Sequence, residues 1–317
     1  MSDTFTEATE LLLGDRPSHD EVQRAAELFQ LASSQGHAEA SERLAFFEAF
    51  GMMRPQSWDR ALDFLELGAC QGSQRAREQL LLISDSSQDA SIPEDTNDDS
   101  WRGFRARVDV EARIAPGEKI VLSDSPRIRV IEQFATAAEC RWIIASARPR
   151  LAPAAVFDEE TGGQKKDASR DNSYLVLRIG EMNVLTEVIR HRISAATGLP
   201  VPLFEPSQVL HYSIGQRFKP HYDFLDPANP AYRDDLARFG QRVATFLIYL
   251  NDNYGGGETS FPEIGLDYRA NAGDALFFAS VTRDGRPDPT TLHAGLPPTS
   301  GEKWVFSQWI RGQFPSE

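Results

Sequence analysis

Two periodicities divide the chain. From about residue 20 to residue 84, apolar side chains recur at spacings of three and four, as in helices with one buried face. The segment AAELFQLASSQGHAEASERL (25–44) is echoed by ALDFLELGACQGSQRAREQL (61–80). Ala25 returns as Ala61, Leu28 as Phe64, Phe29 as Leu65, Leu31 as Leu67, Gly36 as Gly72, Ala40 as Ala76 and Leu44 as Leu80, each at an offset of 36. A glycine that breaks one helix and a small alanine that lets a second pack closely make each copy a helix–turn–helix. From residue 207 onward the period is two. SQVLHYSI, RVATFLIYL, DALFFAS and KWVFSQWI read as strands separated by turns rich in Gly, Pro and Asp.

The intervening stretch is mixed. RARVDVEARI (105–114) and RIRVIEQF (127–134) read as short strands. Thr136 followed by Glu139 is a capping box that opens a helix over AAECRWIIASA. A second helix starts at Asn183, with Leu185, Val188, Ile189, Ile193 and Ala196 as its buried stripe and Gly198 beyond its end. His191 falls off that stripe, which predicts a solvated side chain. Several short strands after two helices predict a β-sandwich or jelly roll with one sheet face covered by those helices.

Residues 85–100, DSSQDASIPEDTNDDS, hold six acids, no bases and almost nothing to bury, which predicts a flexible tether. The chain therefore divides into a small all-α helical-repeat domain (1–84), an acidic flexible linker (85–104) and a β-rich domain with flanking helices (105–317). Two repeats are few for a self-supporting stack, so the helices either dock on the next domain for stability or offer a surface to a partner. With 33 Lys and Arg against 47 Asp and Glu the net charge is −14, which argues against a nucleic-acid partner. Cys70 and Cys140 fit no metal or redox spacing. The first residues lack a secretory leader, and no apolar run is long enough to span a membrane, so a cytoplasmic protein without a membrane partner is expected.

Six histidines occur, and three of them, His211, His221 and His293, lie near the predicted strands. In KPHYDFLDP (219–227), His221 and Asp223 stand two apart, so on an extended strand they face the same way. A mononuclear iron(II) site of the facial-triad kind takes two histidines and one carboxylate, and His293 in TTLHAGLPP is the available third member. Ten residues later, Lys303 opens a strand on which Lys303, Val305, Ser307 and Trp309 share a face. An ammonium aimed inward beside Trp309 calls for an anion. His211 alternates with Tyr212 to the opposite face and reads as structural.

Taken together, QVLHYSIGQRFKPHYD, QRVATFLIYLND, GGGETSFP and the run GDALFFASVTRDGRPDPTTLHAGLPPTSGEKWVFSQWIRG resemble the catalytic domain of prolyl 4-hydroxylase-type Fe(II)/2-oxoglutarate-dependent dioxygenases. The resemblance covers about residues 105–317 and is strongest from 207 to 312. The helical copies resemble Sel1-like repeats, relatives of the tetratricopeptide repeat. The first resemblance implies a double-stranded β-helix (jelly-roll) domain with His221, Asp223 and His293 as catalytic iron ligands. It further implies that Lys303 and Tyr212 bind the far carboxylate of 2-oxoglutarate, that Thr259 adds a hydroxyl contact, that Trp309 lies beside the co-substrate, and that Arg242 stands on the substrate side.

The chemistry so implied consumes 2-oxoglutarate and O2, with ascorbate as reductant, releases succinate and CO2, and hydroxylates a C–H bond. Related halogenases replace the carboxylate ligand by a small residue; Asp223 is retained, so hydroxylation is expected. The expected substrate is a prolyl residue of a peptide or protein, recruited with help from the repeats. Alternatives are another side chain, a free amino acid or small metabolite, or a repeat-based interaction protein with an inactive oxygenase domain. Phe218 stands where many relatives carry a tyrosine. The polar loop 155–173 is either a lid over the substrate or a surface loop.

Overall fold

The computed structural model describes residues 4–14, 17–84, 92, 96–154, 156, 157, 164, 165 and 170–314. The helices are α1 (Thr4–Glu10), α2 (His19–Ser34), α3 (Ala38–Phe50), α4 (Trp58–Gln71), α5 (Gln74–Ser84), α6 (Asp98–Ala106), α7 (Val110–Ile114), α8 (Ala137–Ala147), α9 (Val184–Thr197) and α10 (Arg233–Phe239). In chain order the strands are β1 (Ile120–Asp124), β2 (Arg127–Ile131), β3 (Ala152–Pro153), β4 (Val156–Phe157), β5 (Gln164–Lys165), β6 (Ser173–Val176), β7 (Gln208–Tyr212) and β8 (Phe218–His221). They continue as β9 (Arg242–Tyr249), β10 (Gly255–Gly256), β11 (Thr259–Phe261), β12 (Leu266–Tyr268), β13 (Ala275–Ala279), β14 (His293–Gly295), β15 (Pro298–Ser300) and β16 (Lys303–Arg311). No described helix is long and apolar enough to cross a membrane.

Two compact units form, one from Met1–Ala115 with Leu177–Ala195, the other from Pro116–Val176 with Ala196–Glu317. In the first unit, α2/α3 and α4/α5 are two helix pairs. The matched alanines Ala25 and Ala61, and Ala40 and Ala76, are all fully buried. Most of α9 belongs here, although the sequence pattern assigned it to the cover of the sheet. Arg43 explains the grouping, because its two terminal nitrogens donate to the carbonyls of Met182 and Ile179 at 2.6 Å each. His191 is not the solvated residue its pattern suggested. Its Nε2 lies 2.8 Å from Gln56 Nε2, its ring meets Trp58 edge-on at 5.2 Å, and burial pushes its pKa down to about 4.

The acidic stretch and the strand expected after it also differ from the pattern reading. Residues 98–106 and 110–114 are helical, and Trp101, inside the expected linker, is buried. Two of the acids that argued for a tether, Asp98 and Asp99, lie in the first turn of α6, and the residues that cap the two helices, Asn97 and Asp109, each accept a backbone N–H three residues on, at 3.0 Å. Residues 85–91 and 93–95 lie outside the described residues.

The second unit is built on antiparallel strands. An eight-stranded sheet runs in the order β1-β2-β13-β9-β16-β7-β6-β3, and a four-stranded sheet in the order β12-β11-β14-β8. Leu210, Tyr212, Tyr249, Leu276, Phe278 and Val305 of the large sheet pack with Phe261 of the small one in a shared core. Alternation along β16 sends Trp304, Phe306, Gln308 and Ile310 to one face and Lys303, Val305, Ser307 and Trp309 to the other. Both faces are buried, so the strand has a fixed register. The predicted capping box opens α8: Glu139 N–H donates to Thr136 Oγ1 at 3.1 Å and Thr136 N–H to Glu139 Oε2 at 2.8 Å.

Candidate metal centre and co-substrate pocket

Pairing of β14 with β8 sets His293 directly opposite His221. Strand β8 ends at His221, and Asp223, two residues on, still reaches the same point. His221 Nε2 is 3.6 Å from Asp223 Oδ1, and His293 Nε2 is 3.5 Å from Asp223 Oδ2. The three ligand atoms lie within 4.8 Å of one another, a cluster that could hold a metal ion.

The imidazoles are set for ligation by their far nitrogens. His221 Nδ1 lies 2.8 Å from the Lys219 carbonyl and His293 Nδ1 3.0 Å from the Thr291 carbonyl. A carbonyl only accepts, so each Nδ1 carries a proton and each ring presents its Nε2 toward Asp223. Burial, with His221 alongside, pushes the His293 pKa down to about 4. For Asp223, burial alone would raise the pKa; the two histidines and the Thr245 hydroxyl, donating to Oδ2 at 2.6 Å, outweigh it and hold the group ionised. Two imidazoles and one carboxylate suit a divalent first-row metal, and Fe(II) fits this set.

The cluster lines a pocket between the sheets, with Lys303, Tyr212, Thr259, Trp309 and Arg170 among the other lining residues. Lys303 is buried and faces Tyr212 across β16 and β7. Its Nζ donates to the Gly257 carbonyl at 2.7 Å and stands over the rings of Tyr212 and Tyr249 at 5.6 and 5.4 Å. Burial pushes its pKa down to about 7, only partly opposed by the Glu258 charge, and burial pushes Tyr212 up to about 12. Gly257 is left-handed (φ +72°), and a Cβ there would stand 2.9 Å from the Tyr254 ring, so only glycine aims this carbonyl without strain. Thr259 Oγ1 accepts from the Tyr249 hydroxyl at 2.7 Å.

Arg242 does not line the pocket. It clasps Glu205 through Nε at 2.7 Å and Nη2 at 3.0 Å, and its guanidinium lies 3.8 Å from the Trp309 ring centroid. His211 bonds Glu302 at 2.9 Å and packs on Trp304 at 4.4 Å, away from the metal cluster. Periodicity did not single out Thr245, Tyr249 or Arg170. The first two could have been found from the alternation of RVATFLIY had the register against β16 been known, since Thr245 faces Trp309 and Tyr249 faces Val305. Of the loop 155–173, expected to be a lid or a surface loop, residues 155, 158–163 and 166–169 lie outside the described residues.

A sequence profile of the 2OG-Fe(II) oxygenase superfamily matches residues 207–311. Prolyl 4-hydroxylase 5 of Arabidopsis thaliana is 39% identical over 210 residues, covering 60% of this chain and 70% of that protein. Prolyl 4-hydroxylase 1 of the same plant is 37% identical over 214 residues, covering 63% and 74%. A solved viral collagen prolyl hydroxylase from Paramecium Bursaria Chlorella virus-1, in its 2-oxoglutarate complex, is 28% identical with a TM-score of 0.46, covering 61% of this chain and 99% of that one. The chain belongs to the prolyl 4-hydroxylase-type 2OG-Fe(II) oxygenases. It is accordingly a 2-oxoglutarate-dependent dioxygenase that works with Fe(II), 2-oxoglutarate and O2.

Proposed function

We propose that the protein hydroxylates a prolyl residue of a peptide or protein substrate. In this reading the sheet-rich unit is a jelly-roll oxygenase domain, and the helical unit carries Sel1-like repeats that help recruit the substrate. The observation that carries the proposal is the convergence of His221, Asp223 and His293 in one pocket with the buried Lys303.

His221, Asp223 and His293 hold the metal. Bound Fe(II) supplies the oxidative chemistry that couples decarboxylation of 2-oxoglutarate to C–H hydroxylation. Lys303 binds the distal carboxylate of 2-oxoglutarate in a charge-assisted contact, with Tyr212 and Thr259 as hydroxyl partners. Desolvation strengthens that contact, because no water competes for a buried ammonium. Trp309 walls the substrate side, and Arg242, fixed by Glu205, holds Trp309 in place. Tyr249 keeps the Thr259 hydroxyl oriented.

The test is to incubate the full chain with Fe(II), ascorbate, 2-oxoglutarate and a proline-rich peptide. Succinate should appear together with peptide that has gained one oxygen atom, and residue analysis should return 4-hydroxyproline. Asp223→Ala should abolish both products. Oxygen gained at another residue would refute the prolyl assignment, and turnover surviving Asp223→Ala would refute the metal assignment.

A further inference from the structure

Each ligand of the metal cluster has its own mechanical support. Thr245 pins the Asp223 carboxylate through a 2.6 Å hydrogen bond. His293 is boxed by Phe278, edge-on at 4.8 Å, and by Phe261 at 5.8 Å. His221 is the least enclosed ligand, with 21% of its side chain accessible. Among the described residues, its Nδ1 bonds the Lys219 carbonyl. A single bond to a nearby carbonyl fixes the tautomer but leaves the ring free to pivot about that bond.

The second constraint is a ring. Phe218 stacks on His221 with centroids 3.5 Å apart and planes 14° from parallel. Phe218 is held in turn. The Arg170 guanidinium lies 4.9 Å from its centroid, and the two residues form an antiparallel bridge. Further bonds clamp the same segments: Arg217 N–H donates to Asp171 Oδ1 at 2.6 Å, and Gln216 Nε2 donates to the Asp171 carbonyl at 2.6 Å. Arg170 is itself fixed by donating from Nε to Asn172 Oδ1 at 2.8 Å.

We infer that Phe218 is a positioning residue for the metal ligand His221, with Arg170 holding Phe218 in its stacking place. The inference rests on the metal reading above. Two electron-rich rings gain little from lying face to face. An imidazole that gives its Nε2 pair to a cation becomes electron-poor, and the stack then turns favourable. Phe218 therefore supports the metallated ring more than the free one. Hydrogen-bonded neighbours that orient metal ligands typically change metal affinity by about 10- to 100-fold when removed, and a stacked ring acts through the same constraint on ring orientation.

The test reads metal binding without turnover. Apo forms of the full chain are titrated with Co(II), following its visible bands, and unfolding is recorded on the same metal-free samples. Phe218→Leu keeps an apolar side chain but not the ring, and should weaken Co(II) binding by about tenfold and alter the bands. Phe218→Tyr keeps the ring and should retain both affinity and spectrum. Arg170→Met should give a smaller loss in the same direction. Phe218→Met serves if the leucine variant does not fold. Native affinity and spectrum in whichever of the leucine and methionine variants folds would overturn the inference alone. Should the native chain bind Co(II) no better than Asp223→Ala, the metal reading and this inference fall together.

Discussion

Thr245 donates its hydroxyl to Asp223 Oδ2 at 2.6 Å across 22 residues of sequence. Both side chains are buried, and the bond fixes which carboxylate oxygen remains for a metal. Thr245→Val keeps the shape of the side chain and deletes the donor. We expect about a tenfold weakening of metal affinity with the fold intact, measurable by titrating the apo protein with Co(II) or Mn(II). Unchanged affinity would show that burial alone orients Asp223.

Lys303 should make co-substrate binding depend on pH. Its folded pKa lies near 7 against an ordinary 10.5, so the ammonium that meets a carboxylate is lost as pH rises through about 7. Affinity for 2-oxoglutarate should be greatest below that point and fall by up to about tenfold per pH unit above it. Lys303→Arg keeps its charge and should flatten the profile. In the ligand-free protein the sign reverses: above about pH 7 the unfolded chain binds a proton that the folded chain has released. This residue's contribution to stability therefore rises with pH up to the ordinary lysine range. Calorimetric titrations and urea melts across that window check the two trends.

Glu205 accepts from Arg242 and also meets Arg311 Nε at 2.5 Å, while Arg311 Nη2 reaches Asp235 Oδ2 at 2.6 Å, so Glu205 joins two guanidiniums in one buried network. Burial alone would raise its pKa, but the two arginines bring it below the usual carboxylate value. Glu205→Gln should destabilise the protein by about 3–5 kcal/mol at neutral pH, the range for breaking a buried pair. A group with a depressed folded pKa stabilises above its unfolded pKa and loses that effect as pH falls through the folded one. The gap between native and Glu205→Gln should thus close in acid. Denaturant melts at neutral and acidic pH would expose an error in sign. Arg242 also supports Trp309, so turnover should fall as well.

Trp101 reports on the helical unit. It is fully buried, with Phe104 at 5.6 Å and the Arg77 guanidinium at 5.3 Å from its ring. Trp101→Ala should cost about 3–5 kcal/mol and open residues 98–106 to protease. Rapid cleavage within residues 98–106 of the native chain itself would restore the tether reading for this segment.

Local chemistry determined a good deal by itself. The Thr136–Glu139 box, the glycine-broken helix pairs, the two-residue spacing of His221 and Asp223, and the alternation that turns Lys303 inward all depend on neighbours within a few residues. Periodicity and capping express such relations directly. Tertiary structure decided the rest: His293 opposite His221, Lys303 opposite Tyr212, Thr245 against Asp223, Phe218 beneath His221 and Arg170, and Leu177–Ala195 packed with the helices. It also made helix of 105, 106 and 110–114, where alternation had suggested strand. The physical reason is register. A strand carries its period in its own sequence, but which strand lies beside it, and at what offset, follows from burying both sheet faces at once across long loops.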